Sequence, residues 1–127
     1  RWVVQPAIMT LQAWSRRAEV TCDRAALLAV RDLDKTLNAI VKLELGLEKG
    51  SAFNAEEYLK TVTETKQGGF GRFAEMFRSH PYVTKRVQAL RLFADSAMFA
   101  QVIGKDPTGK PSLPDVDKQV ADLISVF

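Results

Sequence analysis

The chain is poor in the side chains that usually build metal and redox sites, with one histidine and one cysteine among 127 residues. The single cysteine, Cys22, excludes an internal disulfide and a zinc site built on cysteines. The single histidine, His80, excludes a metal site that uses two histidines of this chain. Cys22 has no histidine near it in sequence, which favours a small packing residue over a nucleophile.

The chain also lacks a strong charge of one sign and a long apolar run. Its 18 basic and 15 acidic residues are interspersed and leave a net charge of +3, which gives no indication of nucleic-acid binding. The longest apolar stretch, Val3 to Trp14, is interrupted by polar residues and a proline and is too short to span a bilayer. No signal-peptide pattern is present. Because the chain begins with Arg1 instead of methionine, we expect it to be a piece of a longer protein.

What the sequence does contain is helical periodicity. A composition of 46% hydrophobic and 26% charged residues is typical of a globular domain. Good helix formers without internal glycine or proline predict a helix from about Ala7 to Arg31. Asp32 or Asp34 can cap a second helix, which Gly46 would end. Asn54 to Glu57 resembles a capping box for a third helix. An apolar helical stripe follows at Phe70, Phe73, Met76 and Phe77.

The second half of the chain continues this pattern after a proline. Pro81 prevents a helix from running through His80, and a new helix is predicted beyond it. Its apolar positions are Val87, Leu90, Phe93, Ala94 and Ala97. Residues 104–114 hold two glycines and three prolines and predict a linker, and Asp115 to Phe127 predicts an amphipathic helix. With no alternating strand pattern, the chain is predicted to be an all-α, compact bundle of about five to six helices. We expect residues 1–103 to form the main helical unit, and residues 104–127 to form a linker and a C-terminal helix.

The pair of acids Glu19 and Asp23 is the strongest candidate for chemistry. A spacing of four residues puts both carboxylates on one side of a helix. Two acids at that spacing repel each other slightly, so they need solvent or a cation nearby. The small side chains around them would let a second helix approach closely. Taken alone, such a pair is more often a solvated helix face than a metal site.

Two ordered motifs make the metal-site interpretation more specific. The first is Ser15-Arg16-x-x-Glu19-x-x-Cys22-Asp23-x-x-Ala26-x-Leu28, and the second is His80-Pro81-x-x-x-x-Arg86-Val87-x-x-Leu90. Together they resemble the glutamate-ligand helix and the downstream His-Pro…Arg motif of HtpX-like and CAAX-prenyl-protease zinc metallopeptidases. The resemblance runs from roughly Trp14 to Phe99. It implies that the chain is the C-terminal part of a zincin-type domain, whose His-Glu-x-x-His motif lies upstream.

The resemblance also implies roles for particular residues. Glu19 would be the third zinc ligand, and Asp23 would orient a ligand histidine by accepting its far N–H. His80 would point toward the metal site and help to stabilise the oxyanion of the tetrahedral intermediate. Arg86 would hold the Glu19 side of the pocket or the substrate. Zinc would be present in the complete enzyme and absent from this fragment, which is expected to be inactive alone.

The same resemblance implies a cellular setting and partners. The parent would hydrolyse peptide or protein substrates, in membrane-protein quality control or peptide processing. It would be attached to a membrane through segments outside this chain, with its catalytic domain in the cytoplasm. A fragment built to pack on a missing helix could also self-associate. The alternative is a non-catalytic helical module, in which Glu19 and Asp23 are surface acids and the apolar stripes bind another protein.

Overall fold

In a computed structural model, residues 2–46 and 81–125 are described, and they form five α-helices and no strand. The helices are α1 (Val4–Val30), α2 (Leu33–Leu45), α3 (Pro81–Ala94), α4 (Ala97–Val102) and α5 (Leu113–Ile124). This confirms the all-α prediction. The expected third helix, the phenylalanine stripe and His80 lie outside the described residues, and the division at residue 103 stays a prediction.

Helices α1 and α2 form a hairpin whose turn the sequence predicts well. Arg31 ends α1 in the left-handed conformation (φ 59°), and its N–H donates to the Leu27 carbonyl at 2.7 Å. Asp32 caps α2, because its Oδ1 accepts from the Lys35 N–H at 3.1 Å. Gly46 ends α2 with φ 63°, a conformation that glycine adopts at little cost. Helix α1 begins at Val4, so Pro6 lies in its first turn. Backbone N–H groups of the first turn have no acceptor within the helix, and a proline there therefore costs no helical hydrogen bond.

The region after α3 differs in detail from the prediction. The helix expected to include Ala97 ends at Ala94, and Ala97 opens the separate helix α4. Ser96 causes this break, because its extended backbone and its Oγ, which accepts from the Phe99 N–H at 3.1 Å, start a new helix. The final helix begins at Leu113, earlier than Asp115, because Ser112 caps it and Pro114 fits in its first turn.

Helix α3 is the centre of the described core. Helices α1, α2 and α5 all pack against it, and α4 follows it directly. The best-buried apolar side chains come from all four long helices: Leu27, Leu37, Val41, Val83, Val87, Leu90, Phe93 and Val116. Val120 and Ile124, on the same face of α5 as Val116, are also part of this core. Helix α5 is therefore packed on the core, and α3 is held from three sides.

Replacing Ser96 by alanine should lower the free energy of unfolding by about 0.5–2 kcal/mol, because it removes the α4 cap. Ser96 is fully buried, so the Phe99 N–H could not turn to water instead. The matched control is Ser112→Ala, which removes the cap of α5 at an exposed position with a longer 3.4 Å bond. Urea unfolding of both variants measures the difference. Equal losses would show that burial adds nothing to the Ser96 cap.

The N-terminal half of α1 extends beyond this core with large apolar side chains in solvent. Trp2 is 93% exposed and Trp14 is 70% exposed, and Leu11 between them is also exposed. Residues 2–15 carry no charged side chain, and Arg16 and Arg17 follow immediately. Among the described helices, none is long and apolar enough to cross a membrane.

Candidate active site

A buried ion pair joins the helix of the acid pair to the helix that follows the His-Pro motif. Arg86 on α3 donates from Nε to Asp23 Oδ2 at 2.9 Å and from Nη2 to Asp23 Oδ1 at 2.6 Å. Both carboxylate oxygens of Asp23 are therefore engaged in a two-point contact of the kind that arginine makes best. The Asp23 and Arg86 side chains are 7% and 12% exposed. This contact fixes the rotation of both side chains and the level at which α1 meets α3.

A third helix contributes to the same cluster. Glu44, in the last turn of α2, accepts a hydrogen bond from Arg86 Nη1. The hydrogen bonds to Asp23 raise the pKa of Arg86 above its usual value; burial opposes this, and the charges of Asp23, Glu44 and Glu19 add to it. Arg86 thus stays charged and partly neutralises three carboxylates that come from two helices.

Tyr82 faces Glu19 one helical turn before the Asp23–Arg86 contact. Its hydroxyl is buried, and the geometry falls short of a hydrogen bond to any described residue. Burial raises the pKa of Tyr82 above its usual range and the nearby Glu19 carboxylate raises it further, while Arg86 and Arg16 act in the opposite direction. The Tyr82 phenol is therefore protonated at neutral pH and available as a hydrogen-bond donor. Since Glu19 meets Tyr82 and Asp23 meets Arg86, α1 and α3 run in the same direction through the site.

We expect Tyr82 to ionise later than an ordinary tyrosine when the pH is raised past about 10. The raised pKa in the folded state means that its contribution to stability is present below about pH 10 and is lost as the pH rises further. Ultraviolet absorbance of the phenolate measures the titration, and Tyr82→Phe assigns it against Tyr58, the second tyrosine. In Glu19→Gln, the Tyr82 midpoint should fall toward, but not reach, the usual value, because burial remains. An unchanged midpoint would mean that Glu19 does not act on Tyr82.

The structure brings together three of the four predicted site residues, namely Glu19, Asp23 and Arg86. The fourth, His80, lies outside the described residues. Glu44 and Tyr82 are residues of this cluster that the sequence motifs do not predict. Tyr82 carried one available signal, since it lies four residues before Arg86 just as Glu19 lies four before Asp23. The roles assigned to all four residues stay predictions.

A complete zinc site is not present among residues 2–46 and 81–125. No group of three or more histidine, cysteine, aspartate or glutamate side chains there is arranged to hold a metal ion. Both oxygens of Asp23 are occupied by Arg86, and Glu44 is also hydrogen-bonded to Arg86, so Glu19 is the carboxylate best placed to serve as a ligand. A catalytic zinc uses three protein ligands, so the described residues do not complete such a site.

A helix with two acids on one face, held on a second helix by a buried arginine, is an arrangement suited to part of a metallopeptidase site. The sequence profile of peptidase family M48 matches residues 3–94, and the chain belongs to that family. M48 peptidases are zinc-dependent metallopeptidases. A search of curated proteins and a search of solved structures each returned no match.

The matched range includes every predicted site residue and stops at the end of α3. Glu19, Asp23, His80 and Arg86 all fall within residues 3–94, whereas α4 and α5 lie beyond them. The family assignment therefore rests on the segment that contains the acid pair. It establishes a metallopeptidase-type function in general and the use of peptide or protein substrates.

Proposed function

We propose that this chain is the C-terminal part of the catalytic domain of an HtpX-like, membrane-associated zinc endopeptidase, with Glu19 as its third zinc ligand. The observation that carries this proposal is the two-point contact of Arg86 with Asp23, one turn from Glu19, inside the M48-matched range. Acids on a solvated helix face are stabilised by water alone. The buried arginine instead holds the Asp23 carboxylate in one orientation, as expected of a residue that positions another group.

Asp23 and Arg86 work in this proposal as a unit that orients a histidine. Each carboxylate oxygen has two lone pairs, so Asp23 can accept the two arginine bonds and still accept an N–H from a ligand histidine. That bond fixes the tautomer and the ring orientation of the histidine. Because Arg86 holds the carboxylate plane, Asp23 cannot rotate away from the ligand.

Glu19 and Tyr82 supply the ligand oxygen and a donor beside it. The protonated Tyr82 hydroxyl would donate to a Glu19 carboxylate oxygen and so limit the rotation of that carboxylate. Zinc, when bound, polarises the scissile carbonyl and lowers the pKa of water. His80 is proposed as the donor to the oxyanion that forms on the substrate carbonyl.

A membrane attachment and a cytoplasmic catalytic domain form part of the proposal. The largely exposed segment 2–15, which carries no charged side chain and has a tryptophan near each end, supports a location at a membrane boundary. Arg16 and Arg17, directly after this segment, support a cytoplasmic side, where positive residues are enriched. Quality control of membrane proteins or peptide processing would suit an endopeptidase in this position.

The experiment that tests the function uses the longer protein that carries this chain. Its sequence upstream of Arg1 should contain His-Glu-x-x-His in a helix. The purified protein should hold one zinc ion and cleave an unfolded protein substrate, lose activity with a chelator and regain it with zinc. Chelator-resistant proteolysis, or an upstream region without the motif, would contradict the proposal.

A non-catalytic interaction module is the second candidate, and the exposed apolar surface favours it. A groove of about 510 Å³ lies between the N-terminal half of α1 and the end of α5, with Met9, Ala13 and Ile124 among its lining residues. Light scattering tests whether this surface drives self-association of the chain. Two results together would favour binding of another protein as the function. They are a monomeric chain in light scattering and no zinc-dependent activity in the longer protein.

A further inference from the structure

Arg24 contacts two other helices directly beside the candidate site. Its Nη1 donates to Asp117 Oδ1 on α5 at 2.6 Å, and its guanidinium carbon lies 4.9 Å from the centre of the Phe93 ring on α3. The Arg24 side chain is 18% exposed, and Phe93 is fully buried in the core. An arginine that lies over an aromatic ring while pairing with a carboxylate is restricted in its side-chain rotation. Arg24 therefore ties together α1, α3 and α5.

The position of Arg24 makes this contact relevant to Glu19. It follows Asp23 directly in the helix, so the two side chains leave α1 about 100° apart. Asp23 holds α3 at Arg86, and Arg24 holds α3 at Phe93, two turns further along. Core packing of Val20 and Leu27 and the Asp23–Arg86 contact already hold α1 in place. The Arg24 contacts leave α1 in a different direction, so they further restrict the rotation of α1 about its own axis.

The geometry of a helix shows how much such a rotation would matter. Side chains end about 5–6 Å from a helix axis, so a rotation of about 10° moves the Glu19 carboxylate by about 1 Å. A displacement of about 1 Å at reacting groups can lower the rate of an enzyme by about 10²-fold. A small rotation of α1 would therefore move the Glu19 carboxylate far enough to lower the reaction rate.

We propose that Arg24 is a positioning residue for Glu19, and that α5, which lies beyond the M48-matched segment, holds Arg24 in place through Asp117. The inference rests on the proposed function, because Glu19 must be a ligand for its position to affect catalysis. Helix α5 is itself fixed on α3 by Val116, Val120 and Ile124. A helix outside the family match thereby sets the rotation of the helix that carries the family motif.

The test compares variants of the longer, zinc-loaded protein at a temperature where all remain folded. Arg24→Met keeps an unbranched apolar stem and removes the charge that pairs with Asp117 and lies over the Phe93 ring. It should lower kcat about tenfold or more, leave KM within about twofold and weaken zinc binding about fivefold. Arg24→Lys keeps the charge but loses the planar stack, so it should recover part of the loss. Asp117→Asn should lower kcat about threefold, and the neighbouring Lys118→Gln, also exposed, is the control and should leave it unchanged.

Two outcomes separate failure of this inference from failure of the function itself. If Glu19→Ala abolishes proteolysis but Arg24→Met keeps wild-type kcat and zinc affinity, with only its melting temperature lowered, the positioning role is wrong. If the wild-type protein shows no zinc-dependent proteolysis, or Glu19→Ala retains it, the proposed function has failed and the positioning role fails with it.

Discussion

Replacing Glu19 by alanine in the proposed longer zinc peptidase should abolish detectable proteolysis and reduce the zinc content of the purified protein. A catalytic zinc has three protein ligands and an open position for water, and loss of one ligand leaves an incompletely held ion. The metal contributes several kcal/mol of transition-state stabilisation, so the rate should fall by about 10³-fold or more. Atomic absorption measures zinc and a fluorogenic peptide measures the rate.

The Glu19 experiment needs a control that removes a carboxylate elsewhere. Asp122→Asn serves this purpose, because Asp122 is an exposed residue on α5 far along the chain, and both zinc content and rate should be unchanged. In the same series, Asp23→Asn should lower zinc affinity or activity by about 10- to 100-fold, as expected for a residue that orients a ligand. Normal zinc and normal activity in Glu19→Ala would exclude Glu19 as a ligand, whatever Asp23 does.

The helices could be predicted from the sequence wherever their ends depend on local chemistry. Asp32 and Gly46 set the bounds of α2 through a side-chain cap and a left-handed residue, both of which act within four residues. The break at Ser96 was missed, because the apolar spacing continues across it while the serine interrupts the backbone. Local periodicity reports which side chains share a face, but it does not report a short cap inside an otherwise helical pattern.

The site could be predicted only in part, for a different physical reason. Glu19 and Asp23 share a helix, so their spacing alone puts them on one face. The partners of Arg86 come from two other helices, and Glu44 reaches it only because the α1–α2 hairpin folds back. The contact of Arg24 with Asp117 likewise forms only because α5 packs on the core. Contacts of this kind are set by tertiary packing, which spacing along one helix does not encode.

Breaking the buried ion pair should destabilise the chain far more than breaking an exposed one of the same length. The Asp23–Arg86 and Arg24–Asp117 pairs both have a shortest N–O distance of 2.6 Å, but the carboxylate side chains are 7% and 52% exposed. Arg86→Met leaves the Asp23 charge buried without its partner and should cost about 3–5 kcal/mol. Asp117→Asn should cost about 1 kcal/mol or less, because water replaces the lost contact.

A double variant tests whether the pair stabilises the fold or serves the site. In Asp23→Leu with Arg86→Met, no buried charge remains at the pair, and two apolar side chains replace it. Such replacements of buried ion pairs are often neutral or stabilising, so most of the about 3–5 kcal/mol lost in Arg86→Met should return. Urea unfolding of the wild-type, single and double variants of the 127-residue chain gives the coupling between the two positions. Recovery of stability together with loss of proteolysis in the longer protein would assign the pair to the chemistry of the site. If the double variant stays as unstable as Arg86→Met, the ion pair is instead a structural requirement of the α1–α3 contact.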